Sequence, residues 1–107
     1  MAEAFEVHVT MPNADTARAI GRTLVTERLA ACVNVVPGVV SIYSWKGALH
    51  EDDEVLCLIK TSPGRFEQLR ARVVELHPYD LPEVMAFAVD EGSRDYLDWV
   101  RATTTET

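Results

Sequence analysis

Apolar and polar residues alternate from Phe5 to Met11, with Phe5, Val7, Val9 and Met11 on one face and Glu6, His8 and Thr10 on the other. A period of two predicts a strand with one strongly apolar face. Pro12-Asn13-Ala14-Asp15 interrupts it, and Asn13 or Asp15 is placed to cap a helix. The period then changes. Ala17, Ile20, Gly21, Leu24 and Val25 recur at helical spacing, which predicts a helix ending near Leu29. From Leu29 to Gly47 the chain is rich in β-branched and aromatic residues, a composition that suits a long strand running to a turn at Lys46-Gly47. Proline cannot donate to a ladder and glycine tolerates unusual angles, so Pro37-Gly38 predicts a bulge or bend on an edge strand.

Beyond the turn, Glu51-Asp52-Asp53-Glu54 is expected as a solvated bend. A calcium loop would need spaced ligands and a glycine at its sixth position, and this run has neither. Val55 to Thr61 is apolar on both faces, with Val55, Cys57 and Ile59 opposite Leu56 and Leu58. Such a strand must be covered on both sides. Ser62-Pro63 opens a second helix with the stripe Phe66, Leu69, Val73 and Leu76, and Pro78 ends it. A connector with prolines on both flanks leads to a fourth strand over Val84 to Val89. Ser93 is expected to cap a last helix from Arg94 to about Ala102, and Thr103 to Thr107 to fray.

The order strand-helix-strand-strand-helix-strand predicts an α+β, ferredoxin-like βαββαβ fold, an antiparallel sheet with two helices on one face plus a short C-terminal helix. At 107 residues the chain is expected to be one domain spanning 1–107. Two helices shelter one side only. Leu56, Leu58, Val84, Ala86 or their opposites therefore need another cover, and the terminal helix is too short to supply it all. Association through the open face of the sheet follows.

Composition narrows the partners. A net charge of −7 repels phosphate backbones, so no nucleic acid is expected, while the same field concentrates cations. No apolar run is long enough for a membrane segment, and the first residues lack the basic start and apolar core of a secretory signal. Two cysteines inside strand-like segments suggest reduced thiols in the cytoplasm.

No phosphate loop, dinucleotide fingerprint or serine-hydrolase elbow occurs, and no His or Cys spacing makes a local zinc site. Any metal site must be assembled from distant segments or different chains. Cys32 is either a small buried hydrophobe or a soft copper ligand; Cys57 reads as core. His77 stands at a helix end, to serve as a cap or in a pocket. His8 and His50 read as surface or strand-face residues. Lys60 either snorkels out at its strand end or meets an anion. Trp45 is apolar cover at a hairpin tip or a pocket wall, and Glu83 is a loop carboxylate or the partner of Lys60.

Four segments together resemble a known family. Leu29-Ala30-Ala31-Cys32-Val33-Asn34 followed by Pro37-Gly38, then Ser41-Ile42-Tyr43, Trp45 and Gly47, resembles the first signature of the CutA family, the divalent-cation tolerance proteins. Ile59-Lys60-Thr61 matches its third-strand ending. His77-Pro78-Tyr79-Asp80-Leu81-Pro82-Glu83 looks like its second signature, with Asp80 and Leu81 where Glu and Val are usual. Glu91-Gly92 with Tyr96-Leu97 and Trp99 matches its end. The chain departs from the pattern at Ser44 and Lys46, beside the hairpin turn. The resemblance implies a homotrimer, similar in build to the PII signalling proteins, with a link to tolerance of copper or another divalent cation and no firm enzymatic activity. It places Cys32, Trp45, Lys60, His77, Tyr79 and Glu83 near a cleft between subunits. A copper ion there would use Cys32 and His77; a small anion would use Lys60 and His77 with Trp45 as a wall, beside Tyr79 and Glu83. The other readings are a small cofactor-free enzyme, with His77, Lys60 and Glu83 moving protons, and a purely structural, anchoring trimer.

Overall fold

The computed structural model describes residues 1–105. In chain order the elements are β1 (Ala4–Met11), α1 (Ala14–Thr26), β2 (Cys32–Trp45), β3 (Ala48–Thr61), α2 (Phe66–Leu76), β4 (Met85–Val89) and α3 (Arg94–Thr103). The strands form one sheet in the order β2-β3-β1-β4, with every neighbour antiparallel. This is the expected α+β, ferredoxin-like arrangement.

Local chemistry sets the element ends. Asn13 Oδ1 accepts the Thr16 N–H at 2.8 Å, capping α1 as its sequence suggests. The helix stops at Thr26, three residues short of the expected end, because Arg28 turns left-handed (φ 63°) and lets the Leu29 N–H return to the Leu24 carbonyl. Ser62 and Ser93 do not cap with their side chains. The Ser62 hydroxyl meets Thr104 instead, and Pro63–Arg65 form a single 3-10 turn ahead of α2. Thr104 is buried, with its hydroxyl donating to the Val100 carbonyl at 2.8 Å, so the tail is tied down through that residue. Glu106 and Thr107, also expected to fray, lie outside the described residues.

Val7, Val9 and Met11 of β1 and Val55, Cys57 and Ile59 of β3 meet Ile20 and Leu24 of α1 and Leu69 and Val73 of α2 in the main core. The opposite face is covered only at one end, where Leu97 and Val100 of α3 pack on Ala4, Ala31 and Val89. The rest of that face carries His8, Leu56 and Leu58, flanked on β4 by Met85 and Phe87, which are 50% and 46% exposed. Here the structure chooses between the two faces the sequence left open for β4. Val84 precedes β4 and packs on the main core, and Ala86 stands beside Val7 on the helix side, so Met85 and Phe87 are the apolar pair left open. Pairing with β1 decides that parity, and the short β4 run alone does not reveal it.

β2 is an edge strand, and its register with β3 slips between Val36 and Val39, where Gly38 takes φ 83°. The slip is the bulge expected at Pro37-Gly38. Beyond it the two strands continue as a long two-stranded arm, closed by Lys46 (φ 51°) and Gly47 (φ 79°), the double positive-φ turn that suits a tight hairpin. The acidic run is a correction. Glu51 to Glu54 lies within β3, paired with Ile42 to Val39, and is not a bend. The ladder supplied by Val39, Val40 and Ile42 outweighs four neighbouring charges, because alternation sends successive carboxylates to opposite faces of a thin arm.

Candidate functional site

The bulge decides which side chains share a face. Val36 stands opposite Leu56, but after the slip Val39 stands opposite Glu54, Ser41 opposite Asp52 and Tyr43 opposite His50. Ser41, Tyr43 and Trp45 therefore join Asp52 and Glu54 on the open side of the sheet. The connector after α2 closes the other side, bringing Pro78, Tyr79, Leu81 and Glu83 over the end of β1. The result is a cleft of about 670 Å³ between arm and connector.

His77 anchors that connector. Its backbone N–H returns to Val73, ending α2, but its ring reaches away from the helix. Nε2 lies 2.8 Å from the Thr10 carbonyl, and the Tyr79 N–H donates to Nδ1 at 3.1 Å. Thr10 O can only accept and the Tyr79 amide only donate, which fixes the proton on Nε2. Both ring nitrogens are thereby occupied. The Tyr79 ring stacks at a tilt on the imidazole, 4.6 Å between centroids, and its hydroxyl donates to Glu54 Oε2 at 2.7 Å. Burial, and after it the Glu54 carboxylate, pushes the Tyr79 phenol well above its usual range. Tyr43 donates to Asp52, and that hydrogen bond raises its phenol too. Trp45 stands at the arm's tip with the Lys46 ammonium 5.7 Å from its ring centroid.

Among the described residues, the charged groups lining the cleft are all carboxylates: Asp52, Glu54, Asp80 and Glu83. Of the residues singled out in the sequence, Trp45, Tyr79 and Glu83 come together here, with His77 directly beneath Tyr79. Lys60 does not. It pairs across the sheet with Cys32 and Glu6 at the far end of β3, where its ammonium donates to Asn34 Oδ1. Glu83 is therefore not its partner within a chain, and Lys60, His77 and Trp45 form no common anion pocket there. Cys32 shares the Lys60 end, close to the Tyr96 phenol. His77 contacts Thr10, whose β3 partner Leu56 is four residues from Lys60, or about 13 Å along the strand. Cys32 and His77 do not meet within one chain. Among the described residues no group of three or more His, Cys, Asp or Glu stands close enough to hold a metal ion. In the sequence Asp52 and Glu54 read only as part of a solvated acidic run, and Tyr43 only as a motif residue; parity counted across the bulge is the signal that places them in the cleft.

Cys57 is fully buried, as expected of a core thiol, and burial raises its pKa to about 11. The unfolded thiol ionises near pH 9 while the folded one stays protonated. The stabilisation is complete below pH 9 and is lost as pH rises toward 11, a loss of about 2–3 kcal/mol. Urea titrations at about pH 8 and about pH 11 are expected to differ by that amount more in the native chain than in Cys57→Ala.

A four-stranded antiparallel sheet with two helices on one face, a long hairpin arm and an acidic, aromatic cleft at its base defines a split β-α-β, ferredoxin-like domain. The family model described as CutA1 divalent ion tolerance protein matches residues 5–103, and the chain belongs to that family. A divalent-cation tolerance protein CutA of Thermus thermophilus is 52% identical over 98 residues, covering 92% of this chain and 95% of the relative. Human protein CutA is 48% identical over 96 residues, or 90% of this chain but 54% of the human protein. Among solved structures, the divalent cation tolerance protein of Thermus thermophilus superimposes with a TM-score of 0.92 at 50% identity, covering 95% of this chain and 99% of that one. CutA of Xylella fastidiosa gives 0.94 at 38% identity, covering 97% and 100%.

Proposed function

We propose that this protein is a homotrimeric binding module serving tolerance of copper or another divalent cation, and not an enzyme. The observation that carries the reading is the half-covered sheet: Leu56, Leu58, Met85 and Phe87 lie on a face that α3 shelters only at one end. Copies of the chain are the natural cover, because the arm extends apolar side chains, Val40, Ile42 and Leu49, beyond the body of the subunit. Relatives named for divalent-cation tolerance support the choice of cargo. Both cysteines are free thiols, which suits the reducing cytoplasm.

Cys32, partly exposed, is the soft donor available to copper. His77 joins it only across a subunit boundary and only by surrendering one of its two ring contacts. Copper titrated into the reduced protein is expected to bind, with affinity falling at least about tenfold in Cys32→Ser. Unchanged affinity in Cys32→Ser and in His77→Gln would falsify the metal assignment.

A further inference from the structure

Arg18 and Arg22 stand apart from the other cations of the chain. Each remaining arginine or lysine meets a carboxylate, an amide, a carbonyl or an aromatic ring. Among the described residues Arg18 and Arg22 meet none. They lie one turn apart on α1, where Cβ atoms are about 6 Å from each other and like charges repel. On a chain of net charge −7 this pair is a local reversal of sign. An anion held between them would relieve the repulsion.

Both arginines line one groove of about 350 Å³ between α1 and β2, at the outer edge of the sheet. Val33 and Val35 form its floor. They stand opposite Ile59 and Cys57 of β3, which belong to the core beneath the helices, so the groove opens on the helix side. Gly21 lets the helix come close, since a Cβ there would sit 3.3 Å from Val33, and the exposed Val25 adds an apolar wall. Among the described residues no carboxylate lines this groove. Its volume lies at the small end of the range for ligand sites. Two guanidinium forks above an apolar floor match an anion that carries a short alkyl chain, because the forks hold a carboxylate and the valines take methylenes.

We propose that this groove binds a short-chain aliphatic carboxylate, its head on Arg18 and Arg22 and its alkyl chain on Val25, Val33 and Val35. Every wall belongs to one chain and faces away from the open side of the sheet, independent of the metal reading. Amide NMR spectra of the full chain titrated with hexanoate, acetate and hexylammonium at matched ionic strength test it. Hexanoate is expected to shift residues 17–26 and 33–35 saturably. It is expected to bind about tenfold or more tighter than acetate, which lacks four of its methylenes. Arg18→Gln and Arg22→Gln, both at exposed positions, are each expected to weaken hexanoate about fivefold or more while circular dichroism stays native. Val25→Ser is expected to narrow the advantage of hexanoate over acetate. Equal binding of hexanoate and acetate, saturable binding of hexylammonium at the same residues, or full hexanoate affinity in the folded double variant Arg18→Gln/Arg22→Gln would overturn the proposal. A changed sedimented mass in that double variant would overturn it too, by assigning the groove to a second copy of the chain.

Discussion

Leu58→Asp is expected to break the proposed assembly into single chains, raising the dissociation constant by about two orders of magnitude or more. Leu58 lies opposite His8 on β1 and Asn34 on β2, at the centre of the face that α3 leaves open. Within a lone chain a carboxylate there remains near water and costs little. Against a second copy it is a desolvated charge among Leu56, Met85 and Phe87, and central interface positions of that kind dominate association energy. The control is Val74→Asp on the exposed side of α2, away from the open sheet face. It keeps the charge change and is expected to leave subunit mass less disturbed than Leu58→Asp. Size-exclusion chromatography with light scattering reads both.

His77→Ala is the second large effect, expected to cost about 2–4 kcal/mol in urea unfolding. The buried ring joins the Thr10 carbonyl to the Tyr79 amide, and removing it strands both groups and leaves a cavity. The damage should concentrate in the connector. Tyr79 loses its stacking partner and its anchor, so hydrogen exchange is expected to rise over residues 78–83 more than in α1. His77→Gln places an amide donor where Nε2 was and is expected to recover part of the loss. Equal stability of all three proteins would show that the imidazole does not hold the cleft.

The features readable in the sequence were those carried by neighbouring residues. Alternation marked β1, Pro37-Gly38 marked the bulge on an edge strand, Asn13 marked a cap, and the two-sided strand at Leu56 and Leu58 marked a face in need of cover. What escaped depended on partners far along the chain. The acidic run looked like a bend because four carboxylates are adjacent, whereas its strand state comes from pairing with Val39 to Ile42 across the hairpin. The His77 ring read as a helix cap or a pocket residue because the helix end is next to it; its partner is a carbonyl 67 residues upstream. Lys60 and Glu83 each had a surface reading and a reading as one another's partner, and only the sheet register shows that they occupy different ends of the fold. The family motifs contain Trp45, Tyr79 and Glu83, and the fold places all three in the lining of one cleft. The members that give the cleft its sign, Asp52 and Glu54, required the bulge to be counted first.

Sedimentation equilibrium of the reduced, unmodified chain at micromolar concentration bears most directly on whether the sheet is roofed by its own kind. The predicted result is a single species of three chain masses that persists on dilution. A folded species of one chain mass, with a melting curve that does not shift with concentration, would contradict it.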